Sequence, residues 1–468
     1  MKVLLIGCGN FAKVGHLPGI TTFINETHTP VTLYIADPNQ KVENARPSPP
    51  IVTDDRWFTR LNGDASEEDW CQAVSSQHRQ HQFDACIIST RPRYHKVYAK
   101  WALSEKLHVL VDKPLTFPDR AHVDISPAQQ IVTDYEELIN AKSKDVLFLV
   151  GTQKRYQVVY RDLGRIIRRV YNQTGCPVTN VVCCTGDGWW LLPEEYGQYS
   201  YRRGGKLIHT GYHYLDIVPW LIRHAVPDTD DRITHAWVVA SVLRPSDATI
   251  TYGNTAARKL FDRSTNSAAN YDGLGDINSN LLVKLCDSKN RQRASILYSL
   301  LHEGFSRRLR DDKDTGGGRN KIDYLAVTQG PVLWAELRRI AKMGREGDNL
   351  GGPAHQELTV LCNEQLTPLG DQATLTVKSY PLYASSNESV SASCENDEAP
   401  TIDFLKQVDA KLKGTSVRPP SLSPIEDHEI AVRLLSAAYE SAAESDRADG
   451  KPIATEVRFQ SWDTPPGI

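Results

Sequence analysis

The sequence lacks the features that mark a membrane protein or a nucleic-acid binder. It contains no run of about 18 apolar residues, the length that a helix needs to cross a bilayer, so we expect no transmembrane helix. Its first apolar run is short and leads into a glycine turn, so we expect no signal peptide and a cytoplasmic location. The formal net charge of only −3 argues against partners such as nucleic acid or a membrane surface.

The sequence also lacks a paired cysteine pattern. Its nine cysteines are odd in number and scattered, and no two are spaced C-x-x-C. This distribution predicts reduced, mostly buried thiols, with neither a disulfide framework nor a zinc site. The length of 468 residues allows two or three domains of ordinary globular composition.

What the sequence does contain is a glycine-rich turn directly after its first apolar strand. The segment Gly7-Cys8-Gly9-Asn10-Phe11-Ala12 fits the pattern G-x-G-x-x-A, which opens dinucleotide-binding domains. The glycines let the backbone bend and a phosphate reach the helix N-terminus, and the alanine lets the helix pack on the strand. Alone the pattern is weak, because small-residue turns after buried strands are common. The predicted cofactor contacts in this turn are Gly7, Gly9, Asn10, Phe11 and Ala12.

An acidic residue follows the second predicted strand, which spans residues 30–36. At this position a carboxylate accepts hydrogen bonds from the ribose hydroxyls of NAD and repels the 2′-phosphate of NADP. Asp37 is therefore predicted to bind the ribose and to favour NAD, with NADP still possible. The alternative is a simple Asp-Pro turn formed by Asp37 and Pro38.

A lysine stands where another β-rich run stops, at Asp112-Lys113-Pro114. Ligands of open α/β sheets bind at the carboxyl ends of the strands, so Lys113 is a candidate for polarising a substrate oxygen. The alternative is a solvated surface lysine.

A helix predicted over about 207–222 follows a Gly-Gly pair. It carries His209, His213 and Asp216 at i, i+4 and i+7, on one face. A lone histidine on a helix is usually structural, but two histidines and a carboxylate on one stripe suggest chemistry. No further ligand set is evident, so we expect no metal site.

These motifs together resemble the Gfo/Idh/MocA oxidoreductases, named for glucose–fructose oxidoreductase and inositol dehydrogenase. Members carry a G-x-G-x-x-A/G turn, a Thr-Pro turn after the fourth strand and a Glu-Lys-Pro turn after the fifth. This chain matches their order and spacing over residues 1–116, with Arg91 inserted before the proline and Asp112 for the usual glutamate. The resemblance implies further cofactor contacts from Thr90, Pro92, His95, Asp112 and Lys113.

The resemblance extends to the helix after the Gly-Gly pair, where members carry an Asp, a His four residues later and a further Asp. His213 matches the acid–base histidine and Asp216 the last Asp, whereas His209 replaces the Asp that orients the histidine. A cationic His209 would lower the pKa of His213. We therefore predict catalytic roles for Lys113, His213 and His209, with the protonation route open.

Several further residues are predicted to contact a substrate. For the tryptophan the simpler alternative is core packing or an interface, and for any single arginine it is solvation at the surface. The predicted substrate contacts are Arg155, Tyr156, Trp189, Arg203 and Asp216.

The predicted fold class is α/β. Residues 1–150 are expected to form a Rossmann domain with a doubly wound parallel sheet, and residues 151–468 an α+β domain with a large, mostly antiparallel open sheet. Within these, 117–133 reads as an insertion before a helix at 134–141, and 333–337 fits either strand or helix. A last helix, about 423–444 with Ser423 as its N-cap, can pack back on the first domain. The resemblance implies a homodimer or homotetramer.

The sequence thus predicts an NAD(P)-dependent oxidoreductase whose partner is a small, carbohydrate-like substrate. His213 would take the hydroxyl proton of a sugar or cyclitol, and Lys113 would hold the oxygen. Two alternatives stay open. One is a non-catalytic NAD(P)-binding sensor or repressor on the same scaffold, and the other is an NAD-dependent glycoside hydrolase that acts through transient oxidation.

Overall fold

The chain is described by a computed structural model. It covers residues 1–9, 11–37, 52–59, 66–186, 204–225, 232–253, 274–302, 319–343, 355–363, 365–366, 375–380, 397–416, 421–460 and 462. The predicted site residues Asn10, Trp189 and Arg203 lie outside these ranges.

The first part of the chain forms a six-stranded sheet in which every neighbouring pair is parallel. Its strands are β1 (Lys2–Ile6), β2 (Thr32–Ala36), β3 (Val52–Thr59), β4 (Ala85–Ile88), β5 (His108–Asp112) and β6 (Phe148–Gly151). They lie in the order β3-β2-β1-β4-β5-β6. This is the doubly wound Rossmann order, whose ligand crevice lies where the strand order reverses, between β1 and β4.

Four helices accompany this sheet within the described residues: α1 (Leu17–Thr27), α2 (Glu67–His81), α3 (Pro92–Ser104) and α4 (Ile125–Ala141). The prediction of an insertion at 117–133 is wrong in its second half, because α4 begins at Ile125 and not near Asp134. Ala128 and Ile131 explain the earlier start, since both are buried on the same face as Tyr135 and Leu138.

The rest of the chain builds a nine-stranded sheet. Its strands are β7 (Asn180–Gly186), β8 (Ile233–Leu243), β9 (Asn278–Asp287), β10 (Gln292–Leu301), β11 (Arg319–Gln329), β12 (Leu333–Met343), β13 (His355–Cys362), β14 (Leu375–Tyr380) and β15 (Ala454–Arg458). The order is β14-β13-β12-β11-β7-β10-β9-β8-β15, and only β7 and β10 pair in parallel. Residues 333–337, which fitted strand or helix, lie in β12. The predicted fold class is confirmed.

Three of the described helices lie in the middle of the chain: α5 (Val158–Thr174), α6 (Tyr212–Ile222) and α7 (Pro245–Tyr252). All eleven residues of α6 are buried. A π-helical turn, Leu207–Gly211, precedes α6 without a break, so the helix predicted over 207–222 is present with a widened first part. The helix that carries His213 therefore lies in the interior and not on the surface.

The C-terminal segment returns to the first domain. Helix α8 (Ala399–Leu412) packs on α1, and α9 (Glu429–Arg447) packs on both α4 and α6. Ser423 does not cap α9 as predicted, because its Oγ donates to the Val150 carbonyl at 2.7 Å. A 3₁₀ turn, Ile425–His428, leads into the helix instead.

Candidate functional site

The glycine turn after β1 is shaped by a close approach of the chain that follows β4. Gly7 has φ +86°, and a Cβ atom there would lie 2.5 Å from the Ser89 carbonyl oxygen. Around Gly9, by contrast, a Cβ would meet nothing within 4 Å. Ala12 is fully buried at the start of the helical turn that leads into α1. The turn thus leaves open space beside its backbone, which fits the pyrophosphate of a dinucleotide.

Asp37 lies against this turn. Its carboxylate accepts a hydrogen bond from the backbone N–H of Cys8 at 2.6 Å. The carboxylate is therefore next to the phosphate cradle, where the ribose of a dinucleotide is expected. Burial, reinforced by the charge of Asp37, raises the pKa of the Cys8 thiol to about 11, so this thiol stays protonated at neutral pH.

Asp112, at the end of β5, braces the neighbouring turns. Its carboxylate accepts from Ser89 Oγ at 2.6 Å and from His16 Nε2 at 3.0 Å. Burial alone would raise the pKa of Asp112, but His16 and the Ser89 hydrogen bond lower it below the usual range. The carboxylate is thus engaged by protein groups on both oxygens.

His95 connects the turn after β4 with the turn after β5. Its side chain is fully buried, with Nδ1 2.8 Å from the Pro114 carbonyl oxygen and Nε2 3.0 Å from that of Thr90. Burial is the main influence on this imidazole and lowers its pKa. The ring holds the turns after β4 and β5 at a fixed separation; Pro92 starts α3 between them.

Lys113 reaches from the first domain to the second. It follows β5, and its ammonium donates a hydrogen bond to the backbone carbonyl of His209, in the π-helical turn before α6. The structure therefore brings Lys113 to the segment that carries His209 and His213, as the predicted chemistry requires.

Of the two predicted histidines, His213 is buried and His209 is half-buried. His213, in the first turn of α6, is 9% exposed. The His209 ring lies 5.9 Å, between centroids, from the ring of His302, which is fully buried just after β10. Sequence reasoning missed His302, because a single histidine after a strand carries no motif.

Arg155 and Asp216 bind each other in the interior. Arg155 Nε and Nη2 donate to the two carboxylate oxygens at 2.9 and 2.5 Å, and Nη1 donates to the Leu422 carbonyl at 3.0 Å. Burial would raise the pKa of Asp216, but the charge of Arg155 holds it well below its usual range. This bidentate pair joins the 3₁₀ turn Lys154–Tyr156, which follows β6, to α6 and the C-terminal segment.

A row of three side chains behind α6 has the order found in serine hydrolases. Ser423 Oγ lies 2.8 Å from His428 Nε2, and His428 Nδ1 lies 3.2 Å from Asp216 Oδ1. The serine is fully buried, and its hydroxyl also bonds the Val150 carbonyl. No substrate can reach this oxygen in such packing, so the row is a brace between domains and not a nucleophile.

Tyr156, another predicted substrate contact, is also buried, and its hydroxyl donates to Asp403 of α8 at 2.7 Å. Over the ranges described, the structure shows no group of three or more His, Cys, Asp or Glu side chains arranged to hold a metal ion. Among the described helices, none combines the length and the apolar character needed to cross a bilayer.

Comparison with known proteins agrees with this geometry. Residues 1–138 match the family GFO_IDH_MocA, described as an oxidoreductase family with an NAD-binding Rossmann fold. A search of the curated proteins found no match to the sequence.

Several solved structures share the fold over nearly the whole chain. One is an oxidoreductase from Agrobacterium radiobacter in complex with NAD+, L-tartaric acid and magnesium: TM-score 0.53, 15% identity, covering 97% of this chain and 98% of that one. Another is the aldose-aldose oxidoreductase from Caulobacter crescentus with glycerol: TM-score 0.52, 14% identity, coverage 98% and 99%. A third is the WlbA dehydrogenase from Bordetella pertussis with NADH and UDP-GlcNAcA: TM-score 0.52, 13% identity, coverage 98% and 99%.

At these identities the solved structures establish the fold, and the family match establishes the class of the first domain. The open cradle at Gly9 and the carboxylate of Asp37 fit the cofactor of that class. Residues 1–138 of this chain therefore match the Gfo/Idh/MocA oxidoreductase family, and NAD is the cofactor of that family's Rossmann fold.

Proposed function

We propose that this protein transfers a hydride between NAD and a hydroxyl or keto carbon of a sugar, a sugar derivative or a cyclitol. The observation that carries the proposal is the hydrogen bond from Lys113 to the His209 carbonyl. It places an ammonium at the carboxyl end of β5, beside the cofactor crevice, and against the segment that continues into His213.

Lys113 and His213 have different roles at the substrate oxygen. NAD, when bound, supplies the hydride chemistry. Lys113 holds and polarises the oxygen, with its ammonium positioned by the His209 carbonyl. His213 takes the hydroxyl proton during oxidation and returns it during reduction. The burial of His213 keeps water away from this transfer.

His209 replaces the orienting carboxylate of the family pattern. Its main chain positions Lys113, while its ring stands beside His302. We assign His209 an indirect role through the local charge at His213, since a proton on one imidazole disfavours a second one nearby. Arg155 and Asp216 are assigned to support of α6, because their charged groups are engaged with each other.

The cofactor assignment is tested by parallel fluorescence titrations with NADH and NADPH. Tight NADH binding with weak NADPH binding is expected if Asp37 contacts the ribose. Preferred NADPH binding would overturn the role of Asp37 alone. Absence of binding by either nucleotide would overturn the enzyme proposal.

The reaction is tested by screening sugars, sugar acids, nucleotide sugars and cyclitols for NADH formation. Lys113→Ala and His213→Ala should each lower kcat/KM about 100-fold or more, while the Kd for NADH changes by less than about threefold. Lys100→Ala is the matched control, because Lys100 lies on α3 and pairs with Glu137 at the surface. Product analysis separates net oxidation from glycoside cleavage, and tight NADH binding without turnover on any of these compounds would favour the sensor.

We also propose that two copies of the chain pair through the open face of the nine-stranded sheet. Five large apolar side chains are exposed there, and the strand register places them all on one face: Leu282, Leu297, Ile322, Leu361 and Val377. Large apolar side chains that are exposed together on one face of a sheet are typical of an interface.

A further inference from the structure

A buried carboxyl group lies at the start of the helical segment that carries His209 and His213. Asp276, two residues before β9, is 2% exposed. Its Oδ2 accepts the backbone N–H of Leu207 at 3.0 Å, and Ser279 Oγ donates to the same oxygen. The Asp276 carbonyl also accepts the N–H of Lys206 at 2.8 Å. Asp276 thus binds two consecutive N–H groups of that segment, one with its side chain and one with its main chain.

The first N–H groups of a helix have no partner within the helix and are normally capped by the residue just before it. Here Gly204 and Gly205 precede the segment and offer no side chain, so the cap comes from a distant part of the sequence. A Cβ on Gly205 would lie 2.2 Å from the Asp276 nitrogen and 2.5 Å from its Oδ1, and φ at Gly205 is +68°. The Gly-Gly pair is therefore needed for the close approach between this segment and Asp276, because a side chain would collide there.

We propose that Asp276 is a positioning residue for the reaction. By holding Leu207, it fixes the π-helical turn whose His209 carbonyl binds Lys113 and whose continuation carries His213. The inference rests on the proposed roles of Lys113 and His213. The anchor itself, meaning the hydrogen bonds from the N–H groups of Lys206 and Leu207 to Asp276, does not depend on those roles.

The groups around Asp276 make the anchor sensitive to pH. Burial raises the pKa of Asp276 to about 6, although Ser279 and the Leu207 N–H act in the opposite direction. Besides these, Tyr439 of α9 and Arg244 of the chain before α7 act on it through their charge, and the main chain of Lys206 binds its carbonyl. Because the anchored form binds a proton more tightly than a released aspartate does, the anchor is firmest at low pH and loosens as the pH rises through about 6.

Hydrogen–deuterium exchange tests the anchor without any substrate. In the full-length protein, Asp276→Ala should speed exchange in a peptide covering 205–216 roughly tenfold at pH 5, as expected for a lost cap, and by less at pH 7.5. Asp276→Asn keeps an oxygen acceptor in place of the protonated acid, so its exchange should stay near the wild-type value at pH 5. After correction for intrinsic rates, wild-type exchange should rise between pH 5 and 7.5, and that of Asp276→Asn should not.

Asp287→Asn is the matched control. Asp287 is a buried carboxylate at the other end of β9, and it accepts backbone N–H groups of Lys289 and Arg291 at 3.0 Å. Its variant should leave exchange in 205–216 unchanged. Unchanged exchange in Asp276→Ala, or an equal response to Asp287→Asn, would overturn the inference. If Asp276→Ala does not fold, the pH dependence of Asp276→Asn decides alone, since a slope like that of the wild type contradicts the anchor.

Activity tests the link to the reaction. Asp276→Ala should lower kcat roughly tenfold, with the Kd for NADH within about twofold of wild type, and Asp276→Asn should restore most of kcat. Faster exchange with unchanged kcat would overturn the positioning role and leave the proposed function intact. If exchange is faster in Asp276→Ala but the wild-type protein transfers no hydride, the proposed function is overturned, and the binding of Leu207 by Asp276 remains supported.

Discussion

The two sheets bury their side chains in different ways. In the first sheet all four residues of β4 are buried, and alternate residues of β1 enter two separate cores, one on each face. In the second sheet β7 alternates between buried and half-buried positions. Within the described residues, the first sheet has a core on each face, whereas the second exposes five large apolar side chains on one face.

The same contrast holds for the parts of the site. The first domain offers the cofactor a backbone turn, which glycine spacing makes visible in the sequence. The second domain offers side chains held by remote partners, such as Arg155 with Asp216 or Asp276 with Leu207. Two of these partners, Asp216 and Asp276, are buried carboxyls whose pKa values move in opposite directions. Variants of both can sharpen the comparison.

The largest effect is expected at Asp216. Asp216→Asn removes the bidentate carboxylate from the buried Arg155 guanidinium and leaves it the longer carboxylate contact of 3.4 Å with Asp427. The free energy of unfolding should therefore fall by about 3–5 kcal/mol at pH 7. The folded-state pKa of Asp216 is lowered, so its contribution is present above the unfolded pKa and is lost as the pH falls through the folded one. Urea denaturation at pH 7 measures the difference. A loss below about 1 kcal/mol would contradict the role assigned to the pair.

Asp276 should show the opposite pH dependence and a smaller effect. Its folded-state pKa is raised from 3.8 to about 6, so its stabilising contribution is present below the unfolded pKa and is lost as the pH rises through about 6. Relative to wild type, Asp276→Asn should therefore gain stability between pH 4 and 8, by up to about 3 kcal/mol. Urea denaturation across this range tests the sign, and a difference that does not change with pH would contradict it.

The glycine turn can be divided into a folding position and a binding position. Gly9→Ala should leave the melting temperature unchanged, because its Cβ meets nothing, and should weaken NADH binding about 10- to 100-fold by filling the phosphate cradle. Gly7→Ala should lower both stability and binding, because its Cβ would strike the Ser89 carbonyl. Gly175→Ala, at the C-terminus of α5 with φ +66° and open space, is the control for strain alone. Equal NADH affinity in Gly9→Ala and wild type would contradict the proposal that the space beside Gly9 holds the pyrophosphate.

The sequence predicts those parts of the structure that depend on residues close together in the chain. The glycine turn, Lys113 after β5 and the histidine helix all follow from short patterns. It failed where a distant partner decides the structure. Ser423 was predicted as a helix cap, yet the Val150 carbonyl takes its hydroxyl.

The site shows the same limit. Asp276 could not be predicted from the sequence, because no local pattern indicates that its side chain binds Leu207, 69 residues earlier in the chain. Arg155 reads as a surface arginine in isolation, since only the fold supplies Asp216 as its partner.

The smallest effect per residue is expected on the open face of the second sheet, where the five large apolar side chains are exposed. Leu297→Asp places a charge on that face, opposite Leu282 on the neighbouring strand, and should shift a dimer toward monomer in analytical ultracentrifugation. Ile250→Asp is the control, because Ile250 is 80% exposed on α7 and away from the sheet. Since the core face of β10 is untouched, the melting temperature of the monomeric variant should fall only by the lost association. A wild-type protein that sediments as a monomer would contradict the pairing, and the apolar face would then have to be covered by a different partner.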